Sequence, residues 1–86
     1  MNVSFLSLAY IELKEAVDYY NTAAQLSVND FTTPIFMFKA GQAYEMLGQN
    51  EKALEIYKAI ETEYNKSNEA RKIEKYITRV NLKMNK

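Results

Sequence analysis

The spacing of apolar residues is the feature of this sequence that most limits its fold. Apolar side chains recur every three or four positions along almost the whole chain, which is the period of one face of an α-helix. No segment alternates apolar and polar residues as a half-buried strand would. The sequence therefore predicts an all-α protein. In its N-terminal part the recurring residues are Val3, Leu6, Tyr10, Leu13, Val17, Tyr20 and Ala24.

The unbroken spacing at the N-terminus predicts one continuous helix over residues 3–26, with a coiled-coil-like seam. Leu13 runs into Ala16 without a glycine, a proline or a capping residue. The first half of such a helix cannot fold back on its second half, so it would pack against another chain. Exchange of helices between two copies would then give a dimer. The alternative is a tight turn near Glu12–Glu15.

The later helices have clearer borders. Thr33 and Pro34 look like an N-cap and a proline at the first helical position, and Gly48 would end that helix because glycine readily adopts positive φ. Asn50 is predicted to cap the next helix, and a polar break at residues 65–68 precedes a last helix that begins near Glu69. The predicted buried stripes of these three helices are Met37, Ala40, Gly41, Tyr44 and Leu47; Ala53, Leu54, Tyr57 and Ile60; and Ile73, Tyr76, Ile77, Val80 and Met84.

Residues 37–57 carry the pattern Met37-x-x-Ala40-Gly41-x-x-Tyr44, followed by Ala53-x-x-x-Tyr57. The pattern resembles the tetratricopeptide repeat, a 34-residue helix–turn–helix with large and small residues at these offsets. Two positions depart from the family: Ile60 stands where alanine is preferred, and Asn65 where proline is frequent. Gly41 and Ala53 are expected to face each other, so that the two helices can approach closely.

A weaker copy of the pattern precedes this repeat. Val3, Leu6 and Tyr10 align with the second copy at an offset of 34, but Ala16 and Tyr20 align only at an offset of 37. The sequence thus predicts a degenerate first repeat or long helix over 1–28, the best-matching repeat over 34–66 and a capping helix over 67–86. Because helical repeats generally need about three copies for stability, self-association or truncation of a longer repeat protein is implied.

The composition argues against catalysis. The 86 residues include no cysteine and no histidine, which removes disulfides, the commonest metal ligand and the usual general base. Acids such as Glu51 and Glu55 stand near Lys52 and Lys58, as solvated surface pairs do. There is no glycine-rich phosphate loop. We therefore expect no enzymatic activity, no cofactor and no metal.

Charge is balanced overall but unevenly placed. Residues 1–64 hold nine acids and four bases, whereas residues 65–86 hold two acids and seven bases. The basic end is predicted to be the solvated face of the last helix, and nucleic-acid binding is not favoured because the chain as a whole is neutral. No segment is long and apolar enough for a membrane span. A cytoplasmic location is expected for a complete chain, and a periplasmic one fits a fragment of a longer anchored protein.

The resemblance implies a protein–protein interaction or scaffold module, because repeats of this family present a concave groove to a peptide or a partner helix. Some members bind acidic chaperone C-termini through a basic residue and an asparagine. Phe38 and Gln42 occupy those positions here, so that clamp is expected to be absent and the groove apolar. The alternatives are a self-associating homodimer with exchanged helices, or a fragment of a longer protein without its own ligand site. The candidate partner-binding residues are Leu8, Ile11, Phe38, Gln42 and Glu45.

Overall fold

The protein consists of four α-helices in the computed structural model, which describes residues 5–85, with side chains from Leu8 onward. The helices are α1 (Phe5–Leu26), α2 (Thr32–Met46), α3 (Asn50–Glu63) and α4 (Asn68–Met84). Each helix packs on the next one along the chain, and α4 also contacts α2. The described residues contain no strand, which confirms the predicted all-α class.

The first helix is continuous from Phe5 to Leu26, including residues 12–15, where no glycine or proline interrupts it. It packs along α2 of the same chain, as consecutive helices usually do. The alternative turn near Glu12–Glu15 is therefore absent from α1. Because α1 packs on α2 of its own chain, the interpretation of a repeat hairpin fused into one helix is not supported. Val3 and the side chain of Leu6, which belong to the predicted seam, lie outside the described residues.

The start of α2 is organised by Asn29. The Oδ1 atom of Asn29 accepts hydrogen bonds from the N–H groups of Phe31 (2.9 Å) and Thr32 (2.7 Å). The Thr33 hydroxyl in turn accepts a bond from the Asn29 N–H, at 2.9 Å. The prediction of Thr33 as the N-cap is therefore wrong: Thr33 is buried inside the first turn. Pro34 also lies in this turn, where its missing N–H costs no helical hydrogen bond.

The turn between α2 and α3 confirms the prediction for Gly48, which has a φ of 82°. The N–H groups of Gly48 and Gln49 bond to the carbonyls of Glu45 and Tyr44, the Schellman pattern that ends many helices. The predicted cap at Asn50 is wrong, because Gln49 holds the N-cap position without a side-chain bond. At the start of α4, by contrast, the Ser67 hydroxyl accepts a bond from the Ala70 N–H.

The core lies between α2, α3 and α4 and is centred on Tyr57. A Cβ atom at Gly41 would lie 2.5 Å from Cε1 of Tyr57. The absence of a side chain at Gly41 therefore leaves room for the tyrosine ring, whereas the sequence predicts Ala53 as the residue that faces Gly41.

Phe38, predicted to line a groove, is buried in this core. Met84, predicted to be buried, is exposed. The buried residues that agree with the predicted stripes are Ala40, Gly41, Ala53, Tyr57, Ile60, Ile73 and Val80.

Candidate interaction surfaces

One side of α1 carries exposed apolar residues. We define the α1 outer face as Leu8, Ile11, Tyr19 and Leu26, whose exposed fractions are 49%, 49%, 66% and 81%. With about 100° between successive residues of a helix, these four positions fall on one side and the buried Val17 on the opposite side. The side of Val17 packs on α2. Leu8 and Ile11 were predicted as binding residues, and the same spacing could have identified Tyr19 and Leu26.

The N-terminal part of α1 extends past the end of α2. Lys14 and Val17 already border Gln49, which lies beyond the last residue of α2. No residue between Leu8 and Ala16 is buried. We call residues 8–13 the overhang; their sequence, Leu-Ala-Tyr-Ile-Glu-Leu, is apolar nearly all round the helix. A helix segment of this kind is normally buried, yet the described residues leave its Leu8, Tyr10 and Ile11 about half exposed.

The charges on α1 are mainly acidic. Glu12, Glu15 and Asp18 are exposed, and Glu15 falls within the α1 outer face by its spacing. Lys14 is the only base of α1, and its Nζ atom lies 5.5 Å from the centre of the Tyr10 ring. The α1 outer face therefore combines exposed apolar residues with the acidic Glu12 and Glu15.

A second surface lies between α2 and α4. We call it the α2–α4 groove; it is lined by Gln42, Glu45, Met46, Arg79 and Lys83. The side chain of Glu45 is only 4% exposed. Its carboxylate accepts two bonds of 2.8 Å from Arg79, one of 2.7 Å from Lys83 and one of 2.9 Å from the Tyr57 hydroxyl. Such charge-assisted bonds are what allow a carboxylate to be buried.

The ionisation of Glu45 follows from these contacts. Burial alone would raise the pKa of its carboxyl, but the hydrogen bonds from Arg79, Lys83 and Tyr57 outweigh burial and lower the pKa to about 2. Burial and the hydrogen bond to Glu45 raise the pKa of the Tyr57 hydroxyl. Glu45 is therefore ionised, and its carboxylate binds Arg79 and Lys83 of α4 and the hydroxyl of Tyr57.

The five predicted partner-binding residues do not form one surface. Leu8 and Ile11 lie on α1, whereas Gln42 and Glu45 line the α2–α4 groove and Phe38 is 8% exposed in the core. The α2–α4 groove is not apolar, because Glu45, Arg79 and Lys83 line it.

Four cations lie along one side of α4, and two of them, Arg79 and Lys83, line this groove. Lys72 Nζ lies 4.8 Å from the centre of the Phe38 ring. Lys75 Nζ and the Arg79 guanidinium carbon lie 5.5 Å and 4.7 Å from the centre of the Tyr76 ring. We define the basic strip as Lys72, Lys75, Arg79 and Lys83.

No family model, curated protein or solved structure matches this chain. Within residues 5–85, no helix is long and apolar enough to cross a membrane, in agreement with the sequence prediction. The same part of the chain contains no cluster of acidic, histidine or cysteine side chains that could hold a metal ion.

Proposed function

We propose that this chain is a non-enzymatic protein–protein interaction module of the tetratricopeptide type, which acts without a cofactor. The main support for this proposal is the exposure of the apolar residues of the overhang. Leu8, Tyr10 and Ile11 are half exposed there, and Tyr19 and Leu26 are exposed further along α1, beyond the acidic residues of the α1 outer face. A group of neighbouring exposed apolar residues such as the overhang marks a contact surface for other proteins. The partner would bury the α1 outer face against an apolar face of its own.

The sequence separation of two contacts supports the repeat type. Glu45 bonds Arg79, which is 34 residues further along the chain. Lys72 lies over the Phe38 ring and is also 34 residues further along than Phe38. This separation is the length of one tetratricopeptide repeat. In stacked repeats, residues one repeat apart hold equivalent positions on neighbouring units. On this interpretation α2 and α4 are the first helices of successive repeats, and α3 is the second helix of the first of them.

A second candidate function is self-association, which the same overhang favours. Two α1 helices could pair antiparallel about a twofold axis near Val17, in the manner of an isologous dimer. The overhang of one copy would then cover the C-terminal half of α1 in the other, with Leu8 opposite Leu26 of the second copy. This arrangement gives a homodimer without exchange of helices, because α1 stays packed on α2 of its own chain, and it buries the residues that are most exposed on α1.

The proposal can be tested by quantitative affinity capture from the cells that express the protein. Three baits are compared: the unchanged chain, the double variant Leu8→Glu with Ile11→Glu, and the control Leu82→Glu. Leu82 is exposed on α4, away from the α1 outer face, and glutamate is a good helix former at all three positions. We expect the bound proteins to be lost with the double variant and kept with the control. An identical set of bound proteins for all three baits would contradict the proposal.

Light scattering on the purified chain separates the two candidates. Self-association predicts twice the chain mass of 10.0 kDa, falling to the single mass in the Leu8→Glu, Ile11→Glu variant. Circular dichroism shows whether the variant keeps its helices. An unchanged chain that stays monomeric at high concentration would exclude self-association and assign the overhang to a different protein.

A further inference from the structure

Acidic side chains interrupt the exposed apolar residues of α1. Glu12, Glu15 and Asp18 are exposed and lie between Leu8 and Tyr19 along the helix. With about 100° between successive residues, Glu12 and Glu15 fall within about 40° of Leu8 around the helix, and Asp18 lies at the edge of the same side. From its start to its end, the exposed side of α1 is therefore apolar, then acidic, then apolar again.

These three carboxylates form no ion pair in the described part of the chain. The ion pairs found there are the two that Glu45 makes with Arg79 and Lys83. Lys14, the single base of α1, lies over the ring of Tyr10. The negative charges on the exposed side of α1 are thus open to a positively charged partner.

The form of this surface suits a second helix and does not suit an extended segment. An extended peptide binds through backbone hydrogen bonds to a sheet edge, or in a groove between elements. The backbone groups in the middle of α1 are bonded within the helix, which runs from Phe5 to Leu26. A partner helix needs only side-chain contacts, made by residues three or four positions apart on one side.

We propose that the α1 outer face binds an amphipathic helix of a different protein, in which basic residues lie between two apolar groups. The inference rests on the proposed function, because it names the chemistry of the partner for the same surface. The apolar groups of the partner cover the apolar residues of the overhang at one end and Leu26 at the other. Its lysine or arginine side chains lie opposite Glu12 and Glu15, and such complementarity gives specificity.

A second copy of this chain fits the α1 outer face less well. Pairing of two α1 helices about Val17 brings Glu15 and Asp18 of both copies close to the axis, where like charges repel. Helix α4 of a second copy carries the basic strip, but its apolar residues Ile73 and Val80 are buried in its own core. It therefore offers bases without an apolar group on each side of them, and the expected partner is a different protein.

Fluorescence anisotropy with three labelled helical peptides tests the proposal on the whole chain. Each peptide has about 18 residues, which matches the ~27 Å from Leu8 to Leu26 at roughly 1.5 Å per residue. The basic peptide has leucines near both ends, at helical spacing, and lysines between them. The acidic peptide has glutamate in place of lysine, and the polar peptide has serine in place of leucine.

Charge reversal on α1 identifies where the basic peptide binds. Glu12→Lys and Glu15→Lys alter the acidic part of the surface. Glu55→Lys is the matched control, at an exposed site on α3, a helix whose described residues do not pack on α1. Leu8→Gln combined with Ile11→Gln tests the overhang without a change of charge. Lysine and glutamine are good helix formers, and circular dichroism shows whether each variant keeps its helices.

We expect the basic peptide to bind about ten-fold more tightly than the acidic and polar peptides. Glu12→Lys and Glu15→Lys should each weaken its binding about five-fold, the upper range for an exposed ion pair, and should strengthen binding of the acidic peptide. Glu55→Lys should change either affinity less than about two-fold. The proposal would be overturned by no binding of the basic peptide, by equal binding of the acidic or polar peptide, or by equal losses in Glu15→Lys and Glu55→Lys.

Failure of this inference can be told apart from failure of the proposed function. If capture from cells depends on Leu8 and Ile11 but the basic and acidic peptides bind alike, α1 remains a protein-binding surface and the basic partner helix is wrong. If Glu15→Lys weakens the basic peptide but the Leu8→Gln, Ile11→Gln variant binds it as the unchanged chain does, both are overturned. The reason is that a helix on the α1 outer face has to cover the overhang.

Discussion

The guanidinium of Arg79 donates two hydrogen bonds, both 2.8 Å long, to the carboxylate of Glu45. The two residues tie α4 to α2, which are not consecutive in the chain. Lys83 and the Tyr57 hydroxyl complete the bonds to the carboxylate, so one buried charge joins three helices. This cluster links α4 directly to α2 and forms the buried side of the α2–α4 groove.

Replacing Glu45 by glutamine should destabilise the fold. The neutral amide leaves Arg79 and Lys83 without their negative partner and changes the acceptor for Tyr57. We expect the free energy of unfolding to fall by about 2 kcal/mol, the range for hydrogen bonds to charged groups. Urea unfolding measures it. Glu55→Gln, at an exposed site on α3, should cost less than about 0.5 kcal/mol, and equal losses in the two variants would refute the role of the cluster.

Acid should weaken the fold through the same carboxyl. The pKa of Glu45 is about 2 in the folded protein against 4.5 for an unperturbed glutamate. A lowered folded-state pKa contributes stability above the unfolded value, and this contribution is lost as the pH falls from 4.5 toward 2. The free energy of unfolding should therefore fall more steeply in this window for the unchanged chain than for Glu45→Gln. Parallel curves for the two proteins would contradict the assignment.

Gly41 should not tolerate a side chain. The Cβ of alanine would lie 2.5 Å from Cε1 of Tyr57, whose side chain is fully buried. We expect Gly41→Ala to cost about 1–3 kcal/mol from overpacking, although alanine is the better helix former. Gly48→Ala, where no atom lies within 4 Å but φ is 82°, should cost about 1 kcal/mol. Urea unfolding of both variants tests this, and an unchanged stability of Gly41→Ala would show that the helices can separate.

Phe38 should behave as a core residue and Leu8 as a surface residue. Phe38 contacts the Tyr57 and Tyr76 rings in the core, so Phe38→Ala should lower the free energy of unfolding by about 3–5 kcal/mol. Leu8 is half exposed, and Leu8→Ala should cost less than about 1 kcal/mol. Thermal or urea unfolding separates the two roles, and similar losses would mean that the overhang is buried within the isolated chain.

Much of the fold could be predicted from local patterns. The spacing of Ala53, Tyr57 and Ile60 identifies the buried side of α3, because α3 is amphipathic and packs by one broad face. Gly48 could be predicted because its positive φ is a backbone requirement. Asn29 was missed as the organiser of α2, since its bonds to Phe31 and Thr32 depend on a loop conformation that apolar spacing does not encode.

The candidate surfaces were less predictable. Helix α2 contacts α1, α3 and α4, so it buries more than one side. A prediction based on a single buried stripe therefore places Phe38 in a groove and not in the core. The bonds of Glu45 to Arg79 and Lys83 join residues that only tertiary packing brings together. On α1, by contrast, one side has no neighbour in the chain, and Leu8 and Ile11 are exposed there.

The most direct measurement is photo-crosslinking in the cells that express the protein, with a benzophenone amino acid at Leu8 or, as a control, at Leu82. Both residues are exposed, but only Leu8 belongs to the overhang. If the overhang contacts another protein, the probe at Leu8 forms a covalent adduct with a second chain, and the probe at Leu82 forms none. For self-association, the adduct has twice the mass of the chain. Equal adducts from both positions, or none from Leu8, would contradict the proposal that α1 is a protein-binding surface.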